Sequence, residues 1–310
     1  GRSLVPLVSG MACAVPAVLA ARSIPGKRER LLTILITPLM TCSARLPVYA
    51  FLIAFVVPDT TVGGVFNLQG LFLFGLYVIS TLAALALAAL LHRTLPKRNE
   101  GGFTLEWPVY RWPIWRAVGA EMVAKGWTFV HSAGRVILVV SLVLWVLGRF
   151  GPAEEMAAAR AVSGTDADRE AALLEASWMG QIGTLIEPVF RPLGYDGRLG
   201  IAILTSFAAR EVFVGTLSTL YPTPGNEYGS IKSLQDRLST ELHPATGKPL
   251  LNVASAASLI VFYLFAMQCM STVAIVQREL KSWAWALGQA LGFSLFAYLA
   301  ALLVYQLLAA

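Results

Sequence analysis

Cys13, Cys42 and Cys269 are the only thiols in this chain, and each stands inside an apolar stretch. Met11, Met40, Met267 and Met270 flank them, with Thr41, Ser43, Gln268 and Ser271 close by. Thiolate and thioether are soft ligands, suited to Cu(I), zinc and iron. A transport site must take up an ion and then release it, so a few weak, mixed ligands serve better than a closed four-thiolate cage. The competing expectation is packing, because buried Cys and Met also behave as small or adaptable hydrophobes. An odd number of cysteines, spaced far apart, does not make a disulfide framework.

A second chemical signal is Glu211, in the apolar run "LTSFAAREVFVGTLSTLY". An ionisable group near the centre of a span costs at least about 2.5–3.5 kcal/mol on insertion scales, so it marks a functional position by default. Glu211 is an expected ion ligand or proton carrier; the alternative is a buried ion pair with Arg45 or Arg135. Arg210 projects about 100° away on a helix and need not pair with it. Arg45 follows Cys42 by three residues. It is expected either to favour the metal-binding thiolate or to hold the carbonyls of a broken helix. His131 is expected at the interface rather than as a ligand.

The elements that carry these residues are membrane segments. The chain has 310 residues, of which 56% are hydrophobic and 14% charged, against roughly 25% charged in an ordinary soluble domain. Its mean hydropathy is +0.66. Both values point to an integral membrane protein. The net charge of +6 then marks cytoplasmic loops, at 22–30 and 92–116, rather than nucleic-acid contacts. The first apolar stretch, at about 4–21, has no charged n-region or small-residue cleavage site and is not expected to be a signal peptide. Pro6, Gly10 and Pro16 interrupt that stretch, and Pro38 and Pro47 interrupt the next, about 31–57. The stretches at about 68–91 and 283–308 are uninterrupted and contain no cysteine. A fourth span is expected from about Trp127 to Leu147. "MGQIGTLIEPVFRPLG", with Pro188 and Pro192, is a candidate re-entrant half-helix. The run at about 198–221 is of span length, and another span covers about 250–276. Polar excursions fall at about 149–178 and 222–249. "PLMTCSA" and "FAMQCMS" echo one another, each with Met two residues before Cys. Matched interrupted segments in two halves point to a transporter site at the midplane.

No G-x-x-x-x-G-K-[ST], H-E-x-x-H, C-x-x-C or G-x-S-x-G occurs in the sequence. Hydrolases built on those motifs are unsupported, and no nucleotide is expected to bind this chain.

The segment "LVPLVSGMACAVPAVLAARSIPGKRERLLTILITPLMTCSARLPVYAF" resembles the core of the ferrous iron transporter B family (FeoB), and "LTSFAAREVFVGTLSTLY" and "FAMQCMSTVAIVQREL" resemble its second Gate-type half. The resemblance implies an all-α, polytopic bundle with Pro/Gly-broken and re-entrant helices and two related Gate-type halves. Residues 1–91 would be the first half and 127–310 the second, with a basic cytoplasmic loop and interfacial helix at 92–126. It implies Fe2+ as the transported substrate, crossing the bacterial cytoplasmic membrane, and transport rather than enzymatic activity. Cys13, Cys42, Cys269, Glu211, Met40 and Met267 would handle the metal, with Arg45, Pro16 and Pro47 as structural or tuning positions. The expected partners are the lipid bilayer, a GTP-binding domain in the same protein or on a separate chain, and further copies of the chain. Two other functions stay open: a Gate-type permease for another solute such as a nucleoside, and a membrane scaffold that docks a GTPase without conducting.

Overall fold

The computed structural model describes residues 3–62, 66–94, 112–161, 166–207, 210, 212–221, 231–241, 249–267 and 269–309. Four helical segments among them are long and apolar enough to cross a bilayer: Lys27–Val56, Leu68–Thr94, Val253–Leu280 and Trp283–Ala309.

Helices α1 (Leu4–Ala12) and α2 (Ala14–Ala20) meet at Cys13 and fold back on one another. A Cβ placed on Gly10 would lie 3.6 Å from that of Ala17, whereas residues seven apart on an unbroken helix are about 10.5 Å apart along the axis. Pro16 explains the break, since its ring excludes the carbonyl of Ala12 and it has no N–H to offer. Helix α3 (Lys27–Ile36) passes through two 3₁₀ turns, Thr37–Leu39 and Ser43–Arg45, into α4 (Leu46–Val56). Pro38 and Pro47 break this span as expected. Thr61–Val62 and Phe66–Asn67 then pair as a minimal antiparallel ribbon, and α5 (Leu68–Thr94) runs 27 residues without interruption.

Next come α6 (Trp115–Phe129), a π-helical turn at Val130–Gly134, and α7 (Arg135–Arg149). The expected boundary near Trp127 is therefore absent: helix continues from 115 to 149. The π turn absorbs one extra residue without ending the helix. The polar excursion forms α8 (Ala153–Arg160) and α9 (Asp166–Ala176). Helix α10 (Trp178–Phe190) contains Pro188. At 13 residues it is about 20 Å long, short of a ~30 Å hydrocarbon core, as expected of a partial span.

The run of span length at about 198–221 does not cross. It forms a second folded pair, α11 (Gly197–Thr205) and α12 (Val212–Leu220). Tyr221 Oη donates to Asp196 Oδ2 at 2.7 Å, and the hydroxyls of Thr205 and Thr216 lie 3.0 Å apart, which is an antiparallel register. Burial first, then the Asp196 carboxylate, push the Tyr221 hydroxyl far above the ordinary phenol range, so this clasp stays protonated. A buried Arg210 sits at the fold and donates sideways to Ala266 O, a bond that an uninterrupted apolar helix would not need. Helix α13 (Ile231–Thr240) follows. Helices α14 (Val253–Phe265) and α15 (Met270–Leu280) form a broken span, and α16 (Trp283–Ala309) is again uninterrupted.

Contacts at the two ends fix the directions. At one end Arg22 and Arg30 both bond Glu279, and Arg28 reaches the carbonyl of His92. At the other end Gln235 Nε2 donates to Phe51 O at 3.0 Å, and the Asp196–Tyr221 clasp closes. The α1/α2 pair thus enters from the basic end and the α11/α12 pair from the opposite end. The two broken spans also run in opposite directions. The main core packs Tyr49, Phe51 and Leu52 of α4 against Phe213 and Leu217 of α12 and Leu259, Ile260 and Tyr263 of α14. Helices α5 and α16 turn Phe74, Leu82, Leu85, Leu291, Leu295 and Leu303 outward, as spans that face hydrocarbon do.

Candidate functional site

All three cysteines occupy the breaks. Cys13 separates α1 from α2 with an extended backbone (φ −157°, ψ 136°). Cys42 precedes the second 3₁₀ turn (φ −94°, ψ 162°). Cys269 immediately precedes α15 (φ −158°, ψ 105°). Each is therefore a non-helical residue beside a helix terminus, where backbone groups lack intrahelical partners. None forms a disulfide and all are half-buried.

These positions converge. One cavity of about 230 Å³ is lined by Cys13, Cys42 and Cys269, together with Met40, Met267, Arg45 and Arg210. Met40 and Met267 are buried, while Met11 and Met270 are exposed. The structure thus brings five of the six expected metal-handling residues to one cavity. Among the described residues, no three His, Cys, Asp or Glu side chains stand close enough to share one ion, so the three thiols line the cavity without forming a closed cage. Glu211 lies outside the described residues. Arg135 is exposed, and the His131 and Trp127 rings lie 4.7 Å apart between centroids, tilted by 47°.

Hydrogen bonds tie the breaks together in pairs. The Ala12 carbonyl, displaced by Pro16, accepts Ser43 Oγ at 2.9 Å, which joins the first two breaks. Met270 N donates to Phe207 O at 3.0 Å, which joins the other two. Pro38 deprives the Ile34 carbonyl of its helical partner, and Gln289 Nε2 replaces it, at 3.4 Å from Ile34 O and 2.8 Å from Leu35 O. Ser80 Oγ caps Leu39 O at 2.7 Å. Arg45 is fully buried. Its guanidinium donates to Leu264 O at 2.8 Å and Pro38 O at 3.2 Å, so it braces carbonyls at two breaks. Of the two roles expected for Arg45, the brace is the one its bonds describe. Pro16 and Pro47 act on the backbone: Pro16 follows the Cys13 break, and Pro47 opens α4.

Sequence reasoning missed Gln289 and the cavity role of Arg210. An amide inside the apolar part of an otherwise uninterrupted span was the available signal for the first. A second intramembrane charge beside Glu211 was the signal for the second.

Two family models match the chain. The Gate model, described as "Nucleoside recognition", covers residues 1–56 and 130–283. A model for the ferrous iron transport protein B C terminus covers residues 73–125. The chain belongs to the Gate family and is similar over its whole length to the C-terminal membrane part of FeoB. A relative named Fe(2+) transporter FeoB from Leptospira interrogans is 37% identical over 99% of this chain and 43% of its own length. A Porphyromonas gingivalis Fe(2+) transport protein A/FeoB fusion protein is 32% identical over 99% of this chain and 38% of its own length. A Methanocaldococcus jannaschii FeoB is 30% identical over 98% of this chain and 41% of its own length. The chain therefore spans about 40% of the length of these FeoB relatives. No solved structure matches it.

Proposed function

We propose that this chain forms the membrane passage for Fe(II) in a GTP-dependent uptake system of the cytoplasmic membrane, with the GTP-binding domain supplied by another part of the protein or by a separate chain. The observation that carries this reading is the meeting of Cys13, Cys42 and Cys269, with Met40 and Met267, at one cavity formed where four helical segments break. Soft sulfur ligands favour iron over hard cations such as Mg2+. Freed carbonyls beside each cysteine can take over part of an ion's hydration shell, as broken helices do in transporters. The names of the relatives support iron as the cargo.

The arrangement of elements supports the two-halves reading. Helices α1–α5 and α11–α16 each supply a folded pair, a broken span and an uninterrupted 27-residue span, in the same order. The two sets enter from opposite ends, the pattern of an inverted repeat with its site at the midplane. Glu211 follows the cavity-lining Arg210 in sequence, and we assign it to ion or proton handling at the same site.

An anaerobic Fe(II) titration of the purified protein tests the reading, beside a Cys13→Ser, Cys42→Ser, Cys269→Ser triple variant. Binding by the wild type and its loss in the variant are expected. Undiminished binding by a folded triple variant would make the thiols packing residues and sink the proposal. A second reading, a nucleoside-type cargo, draws on the description of the Gate model. The cavity of about 230 Å³ falls below the ~300–1,000 Å³ of ordinary small-molecule pockets, which favours the ion. Competition for uptake by a nucleoside but not by metal would reverse that preference.

A further inference from the structure

We propose that the guanidinium of Arg45 is a tethered cation, occupying an oxygen-lined site between the two broken spans where an alkali cation would otherwise sit. Arg45 Nη1 donates to Leu264 O at 2.8 Å and lies 3.5 Å from Thr41 Oγ1. Its Nη2 donates to Pro38 O at 3.2 Å and lies 3.5 Å from Ala266 O. Three carbonyls and a hydroxyl thus gather around one charge. Among the described residues the acceptors of these four contacts are all neutral oxygens, and the Nε of Arg45 donates to none.

The origin of these oxygens explains why a cation belongs there. Helix α14 ends at Phe265, so Leu264 O and Ala266 O lie at its C-terminus, where carbonyls lack intrahelical donors and the helix dipole is negative. Pro38 O comes from the break in the other span. Unwound carbonyls and half-helix C-termini are the groups that coordinate Na+ in transporters built from broken helices. Here a side chain of the opposite half supplies the charge, and its planar fork reaches carbonyls on both spans at once. The two broken spans are therefore held together without a free ion at this point, whatever the cargo. Arg210 Nη2 also donates to Ala266 O, at 3.1 Å, so this carbonyl carries two guanidiniums while Leu264 O and Pro38 O depend on Arg45.

Substituting Arg45 should turn a resident charge into a requirement for a dissolved one. The test is the melting temperature of the purified wild type and of Arg45→Ala, Arg45→Gln and Arg45→Lys variants, in NaCl, KCl or choline chloride at matched ionic strength. The wild type should melt at the same temperature in all three salts. Arg45→Ala and Arg45→Gln should melt several degrees lower in choline and recover in part, saturably, with Na+ or K+. Arg45→Lys keeps the charge and should stay nearer the wild type, without an ion response. If Arg45→Ala does not fold, Arg45→Gln against Arg45→Lys carries the comparison. A saturable rise for the wild type would mean that a free ion already fills the site, and would overturn the proposal. Neutral variants that ignore the cation, or a lysine variant no better than glutamine, would reduce Arg45 to a hydrogen-bonding brace and overturn it equally.

Discussion

At the residue scale, the sulfurs and the hydrogen-bonding side chains divide the work. The thiols stand at non-helical positions facing the cavity, while Ser43, Ser80 and Gln289 satisfy the carbonyls that the breaks expose. In hydrocarbon no water can take their place. Gln289→Leu would leave Ile34 O and Leu35 O without this side-chain donor. A loss of about 1–3 kcal/mol is expected for leaving a buried acceptor unsatisfied, read as a lower melting temperature. Ser43→Ala removes a single neutral bond, to Ala12 O, and should cost about 0.5–1.5 kcal/mol. An unaltered melting temperature in Gln289→Leu would show that the Pro38 break does not depend on α16. The chemistry-bearing residues were legible at this scale because Cys and Arg are conspicuous in apolar sequence. Their partners were not: Arg45 meets Leu264 across 219 residues, and nothing local announces such a pairing.

At the scale of elements, hydropathy and proline positions located the breaks at Pro38 and Pro47 and the uninterrupted spans at about 68–91 and 283–308. They did not distinguish a broken span from a folded pair. The α11/α12 segment has the length and apolarity of a crossing helix, and only the Thr205–Thr216 and Asp196–Tyr221 contacts reveal that it turns back. The π turn at Val130–Gly134 is equally silent, because hydropathy does not register one extra residue in a helix. The turn between α10 and α11 gives this scale its prediction. Gly194 has φ +75°, and an added Cβ would lie 2.5 Å from Tyr305 Oη on α16. Gly194→Ala combines a left-handed backbone cost of about 1–2 kcal/mol with displacement of that ring, so it should lower stability by more than the backbone cost alone. Pairing it with Tyr305→Ala in a double-mutant cycle separates the two contributions. A fully additive cycle would rule out the clash.

At the scale of the whole molecule, the inverted arrangement of the two folded pairs makes a statement about sides. Arg22, Arg30 and Glu279 gather at one end, and Asp196, Tyr221 and Gln235 lie at the other. The positive-inside rule predicts that the basic end faces the cytoplasm. Lys281 and Ser239 are both exposed, one at each end. In a background with the three natural cysteines changed to serine, Ser239→Cys should react with a membrane-impermeant maleimide applied to intact cells. Lys281→Cys should react only after the cells are opened. Labelling of both positions from the same face would place the α11/α12 pair on the same side as α1/α2. The halves would then be parallel rather than inverted, and a midplane site reached alternately from either side would lose its structural basis.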